Sequence, residues 1–289
     1  MELQWPLILF TTFIAWSAGL LATQGICALR NESNASQMKA LFASAALLAI
    51  GGVAVFFHLE HWERIFNGFG HLSSGITQEF IAVVIVAIVM VTIFAYLRRS
   101  SNDPHLPTWL SVLAIIAAVA LLFSCGHSYM MAARPAWNSI FELVSLFGGA
   151  CILGPASFAI ISAREEMGST VGTTMIVGSV VNIVSSAAYL ATMSMASYTE
   201  FDATYFDPTA PAQPMIDVSS LNAFSGDALF ASTLVIAGAL AACIASLMAK
   251  KQPDKHIVWA AVSLVTALVS VVALRIVFYQ LGVSVFAFY

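Results

Sequence analysis

The sequence predicts an all-α fold, a polytopic bundle of eight transmembrane helices with both termini on the outer (periplasmic) side. Three observations predict it. Of 289 residues, 60% are hydrophobic and only 9% are charged, where a soluble domain has about 25% charged residues. Eight apolar runs each reach the ~20 residues that a helix needs to cross a ~30 Å hydrocarbon core. The cations collect on alternate loops. A mean hydropathy of +0.90 agrees, and the runs lack the alternation of a membrane β-barrel. A water-soluble enzyme, a disordered protein and a nucleic-acid binder are excluded, and the net charge of −4 supplies no basic footprint.

The runs cover residues 5–29, 40–58, 76–97, 106–129, 139–163, 170–197, 228–248 and 257–286, within a single integral-membrane domain of residues 1–289. The first is too long, and its start too poor in cations, for a cleavable signal. Short polar breaks separate the runs, except for the long outer loop of residues 198–227. That loop holds Pro208, Pro211 and Pro214 and the acidic Glu200, Asp202, Asp207 and Asp217, with no Lys or Arg.

Orientation follows from the cations. Arg30, Lys39, Arg98, Arg99, Arg164, Lys250, Lys251 and Lys255 lie on the odd-numbered loops, eight of the 11 basic residues. Arg64, Arg134 and Arg275 lie towards the other side. The odd loops are therefore placed in the cytoplasm. Trp5, Trp62 and Trp137 then mark the outer interface and Trp109 and Trp259 the inner one. Two glycosylation patterns at Asn31 and Asn34 fall inside and are taken as chance. Cys27, Cys125, Cys151 and Cys243 lie singly within spans and read as small apolar residues. Gly51-Gly52 and Gly148-Gly149 read as helix-packing positions.

Ionisable groups within spans cost about 2.5–3.5 kcal/mol each and are functional candidates by default. Here they share one depth. His58 ends the second run, and Glu79 lies in the first outer turn of the third. His127 and Tyr129 end the fourth, followed by Arg134 in the next break. Glu142 opens the fifth. Arg275 is 18 residues beyond Ile257, roughly 27 Å up the eighth helix, with Tyr279 one turn further. Separately, each has an ordinary explanation: carboxylates favour helix N-termini, an arginine snorkels, and interfacial histidines bond to carbonyls. Together they could surround a small polar headgroup whose hydrophobic tail enters the bilayer.

Other chemistries fit poorly. Bundle haem needs facing histidine pairs, and only His58 and His127 could form one. A retinal Schiff base needs a mid-span lysine. Intramembrane hydrolysis needs a nucleophile–base arrangement, and none is apparent. A small-solute transporter would place charges and broken helices near the midplane, where this chain has almost none. That reading and a purely structural anchor stay open as alternatives.

Five patches in order carry a family resemblance. They are Glu2 to Leu9, with Trp5-Pro6-Leu7; Phe57-His58-Leu59 followed by Arg64-Ile65-Phe66-Asn67; Ser74-Gly75-Ile76-Thr77-Gln78-Glu79; Tyr129 with Pro135-Ala136-Trp137-Asn138; and Arg275-Ile276-Val277-Phe278-Tyr279. The chain resembles the membrane anchor subunit of dimethyl sulfoxide reductase over essentially its whole length. It departs from that family at Glu60, where Gly is usual, at Trp62, where Pro is common, and at Val271, where a Glu often precedes the eighth-span Arg by one turn. The resemblance implies an anchor in the bacterial inner membrane that oxidises menaquinol for anaerobic respiration. Electrons would pass to an iron–sulfur subunit and then to a molybdopterin catalytic subunit, both docked on the outer face. The implied proton-handling residues are His58 and Glu79, with Tyr129, Arg134, Arg275 and Tyr279 framing the headgroup or docking the partner. No metal site, haem or iron–sulfur cluster is expected in this chain.

Overall fold

The computed structural model describes residues 3–58, 70–100, 105–163, 168–197 and 221–285. Eight helices long and apolar enough to span a membrane follow one another: α1 (Trp5–Leu29), α2 (Gln37–Phe56), α3 (Gly75–Arg99), α4 (Thr108–Ser128), α5 (Ile140–Ile161), α6 (Ser169–Ser194), α7 (Ala228–Lys251) and α8 (His256–Leu281). The described residues contain no strand. Trp62, Arg64, Arg164 and residues 198–220 of the long loop lie outside them.

Two helices form the centre. In α5 72% of the most apolar stretch is buried and in α1 67%, against 33% in α2 and α3. Lipid tails give no hydrophobic reason for helices to associate, so close backbone approach and hydrogen bonds must do it. The sequence of α5 is built for approach on three sides. A side chain at Gly154 would meet the Gly19 backbone of α1; one at Gly148 would meet Ser185 of α6, and one at Gly149 would meet Val271 of α8. Pro155 lacks the N–H that would bond the Cys151 carbonyl one turn earlier, and Gly178 of α6 packs against that carbonyl. Gly51 of α2 likewise meets Phe13 and Phe10 of α1, but Gly52 faces open space. Of the two glycines in that pair, only the first is a packing position.

Serines bind the remaining neighbours. Ser17 of α1 donates to the Ser44 carbonyl of α2 at 2.8 Å, and Ser44 donates back to the Ser17 carbonyl at 2.9 Å. Ser246 of α7 and Ser263 of α8 lie 3.0 Å apart, and Ser270 donates to the Val235 carbonyl at 2.8 Å. Each bond satisfies a hydroxyl where no water competes.

Element ends differ from the sequence expectation in two instructive places. Helix α2 starts at Gln37 rather than at residue 40, because Gln37 is buried and its carbonyl accepts from Gln24 of α1 at 3.0 Å. Helix α8 stops at Leu281 rather than at 286, because the Trp137 indole packs where a side chain on Gly282 would stand.

At the end of the bundle holding the α1–α2 turn, Glu32 caps α6. Its carboxylate accepts from the Thr170 backbone N–H at 3.1 Å and from the Thr170 hydroxyl at 2.8 Å. A carboxylate there satisfies an orphan donor and meets the positive end of the helix dipole. Glu32→Ala is expected to destabilise the protein by about 1 kcal/mol, read as a lower melting temperature in detergent. Glu32→Gln should recover only part of it, since the charge is lost.

Candidate functional site

At the opposite end, the C-termini of α2, α4, α6 and α8 meet the N-termini of α1, α3, α5 and α7. The polar groups here fall into two buried clusters joined by aromatic rings.

The first lies between α3 and α4. Close packing of Gly75 against Ser128 brings the helices together, and Glu79 sits one turn into α3, only 7% exposed. Its Oε2 accepts from the Ser128 hydroxyl at 3.4 Å, and Cys125 lies beside it. Its Oε1 has no hydrogen-bond partner among the described residues. This corrects the expectation for Glu79: α3 starts at Gly75, no acidic residue occupies its first turn, and the helix dipole alone does not account for this carboxylate. A buried carboxyl oxygen without a partner is costly and makes Glu79 a candidate for contact with another group.

The second cluster lies between α5 and α8. Ser139 caps α5 by accepting from the Phe141 N–H at 3.2 Å, which sets Glu142 in the first turn. Arg275 donates to Glu142 Oε1 at 2.5 Å and to the Ser145 hydroxyl at 3.0 Å. Glu142 is 0% exposed and Arg275 2%. This overturns the ordinary explanation of Arg275 as a snorkelling side chain, for its guanidinium is held inside the bundle. It also explains Val271. The acid that neutralises Arg275 comes from α5, while Val271 packs on Gly149. Tyr189 of α6 stands beside Glu142 and donates to the Ala136 carbonyl at 3.3 Å.

The aromatic bridge is made by the α4–α5 connection and the end of α8. Trp137 stacks on Phe278 at 4.2 Å between ring centroids, and its indole N–H donates to the Phe278 carbonyl at 2.7 Å. Tyr129 meets Phe278 and Trp137 edge-on, and Tyr279 packs on Trp137 and beside Tyr129. The Tyr279 hydroxyl forms no well-made hydrogen bond among the described residues. Arg134 lies over the Trp137 ring at 4.5 Å and donates to the Gly282 carbonyl. Trp137 is thus a buried structural ring, only 5% exposed, in the α4–α5 connection at the end of the bundle. The bonds among Trp137, Arg134 and α8 draw it inward.

Of the residues singled out in the sequence, the structure brings together Glu79, Tyr129, Tyr279, Arg275, Glu142 and Arg134. Cys125 lies between the clusters, within electrostatic reach of Glu79, Arg275 and Glu142. His58 stands apart. It is exposed at the end of α2, at the same end of the bundle, and no side-chain bond ties it to either cluster among the described residues. His127 is also exposed, stacked on Phe123 of its own helix. Sequence reasoning missed Cys125, Ser128, Ser145, Tyr189 and Phe278. The signal for Ser145 was available, since it lies one helical turn beyond Glu142 on the same face.

Eight helices able to span a membrane, with the buried charges of the described residues gathered at one end, define a multi-pass membrane protein. The DMSO reductase anchor subunit (DmsC) family model matches residues 1–281, and the chain belongs to that family. Membership makes it a membrane anchor of a reductase complex and implies association with the other subunits of such a complex. No individual curated protein gives a significant match.

Proposed function

We propose that the chain binds and oxidises a quinol, menaquinol in a bacterial inner membrane, at the end holding Glu79 and Arg275. The two electrons pass to an iron–sulfur subunit docked on that end and from there to a molybdopterin catalytic subunit, supporting anaerobic respiration. The observation that carries this reading is the unpartnered Glu79 Oε1, with Tyr129 near that carboxylate, Tyr279 beside Tyr129, and the Arg275–Glu142 pair on the far side of Cys125. Quinol oxidation releases two electrons and two protons, so a site needs a proton acceptor and partners for two ring oxygens. Glu79 Oε1 supplies the acceptor and the tyrosine hydroxyls supply donors. The charge asymmetry of the loops puts this end outside, so protons would leave on that side. Family membership sets the transporter reading aside.

In this scheme His58, exposed at the same end of the bundle, receives a proton and Glu79 carries it on. Arg134, engaged by Gly282 and Trp137, shapes the rim and contributes to docking rather than to the headgroup. The test compares the wild-type complex with His58→Ala for binding of a fluorescent quinol analogue and for quinol-dependent electron delivery. Delivery is expected to fall by about 10²-fold or more, the scale of a lost acid–base group. Unchanged binding and unchanged delivery would remove His58 from the scheme.

A further inference from the structure

Away from this end, an apolar groove of about 250 Å³ runs between α4 and α6, floored by α1 and α5. Its lining includes Ala22 and Ile26 of α1, Val119 and Leu122 of α4, Phe147 of α5 and Val177 of α6. The groove exists because α5 presents the exposed Cys151 and the small Ala150 and Pro155 to it, and α6 presents Gly178.

Its two ends differ. Beyond Leu122 and Phe147, Gly126 of α4 packs directly on Leu143 of α5, so the groove is walled off at that side from the polar clusters. At the other end, the helix that floors the groove runs on to a cation. Ala22, Ile26 and Arg30 follow at intervals of four residues, one face of the α1 helix and its cap, and Arg30 is exposed. Arg30 makes no ion pair among the described residues, and the nearby Glu32 carboxylate is occupied by Ser169 and Thr170. An apolar groove lined by Ile26, one turn before an exposed Arg30 without an ion pair among the described residues, fits an amphiphile with a hydrocarbon chain and an anionic head.

We propose that this groove seats one acyl chain of an anionic phospholipid whose phosphate is held at Arg30. The assignment does not depend on the quinol reading, since the Gly126–Leu143 contact separates the two sites. Its role is to fill the gap between α4 and α6, which the protein itself leaves open.

The test uses the purified complex, delipidated in detergent and then supplied with phosphatidylglycerol or phosphatidylcholine of identical chains. Bound lipid is counted by native mass spectrometry, and stability is followed by thermal melting. Wild type is expected to retain phosphatidylglycerol about five-fold better, the attraction of one interfacial cation for an anionic head, and to melt higher with it. Arg30→Gln should lose the preference between the lipids but still bind one. Cys151→Trp, or Val177→Trp as an independent filling variant, should exclude both lipids while leaving quinol-dependent turnover intact. Equal retention of the two lipids by wild type would overturn the proposal. So would lipid binding that survives both filling variants, or an isoprenoid quinone recovered from the groove in place of phospholipid.

Discussion

Arg275→Met should destabilise the protein by about 3–5 kcal/mol, the scale of breaking a buried ion pair by removing one partner. The substitution leaves Glu142, fully buried, facing Ser145 and Tyr189 with no countercharge. Methionine keeps much of the side-chain volume, so packing around Phe278 changes little and the loss reports the charge. The double variant Arg275→Met/Glu142→Leu removes both charges and should melt close to wild type, since a buried pair gains little over apolar residues of similar volume. The comparison separates two roles. If the pair only holds α5 to α8, the double variant recovers stability and quinol-dependent turnover together. If the pair frames the headgroup, stability returns and turnover does not, which is the outcome the proposed function requires. A single variant that melts with wild type would show that Glu142 is not isolated by the change, contrary to the geometry.

Glu79→Gln is the second large effect. The amide is nearly isosteric and can still bond to Ser128, so the α3–α4 packing against Gly75 should survive and the melting temperature should hold. What disappears is a group able to take a proton. Quinol-dependent electron delivery is expected to fall by about 10²–10⁴-fold, while electrons supplied directly to the iron–sulfur subunit by an artificial donor reach the terminal acceptor at the wild-type rate. Glu79→Asp should recover part of the activity, because the carboxyl is restored one methylene short. Wild-type turnover in Glu79→Gln would show that this carboxylate moves no essential proton.

The eight spans were legible because each requirement of the bilayer acts locally on the sequence. About 20 apolar residues must follow one another, and cations must flank them. Helix α1 falls on residues 5–29 as expected for that reason. The depth of Glu79, Glu142 and Arg275 was legible too, since depth is counted along one helix. Which of them pair was not. The partner of Arg275 is set by the Gly149–Val271 contact that places α8 against α5, a property of helix arrangement on which linear spacing is silent. The packing of Trp137 was illegible for the same reason. Its place in the chain sets the end of the bundle it occupies, and only its contacts with Phe278 bury it. Cys125 shows the converse, a residue that reads as apolar filler and becomes polar surroundings for Glu79 once α3 and α4 meet.

The reciprocal Ser17–Ser44 bonds also bear on biogenesis. Helix α1 ends at Leu29 and α5, the other central helix packed on it, begins at Ile140, so at roughly 5–20 residues per second the ribosome needs on the order of ten seconds to deliver that helix. Throughout that interval the polar face of α1 would otherwise meet lipid. Helix α2 follows it at once, and the two serines satisfy each other across the pair. The α1–α2 hairpin can therefore satisfy these two serines before the rest of the bundle closes around it.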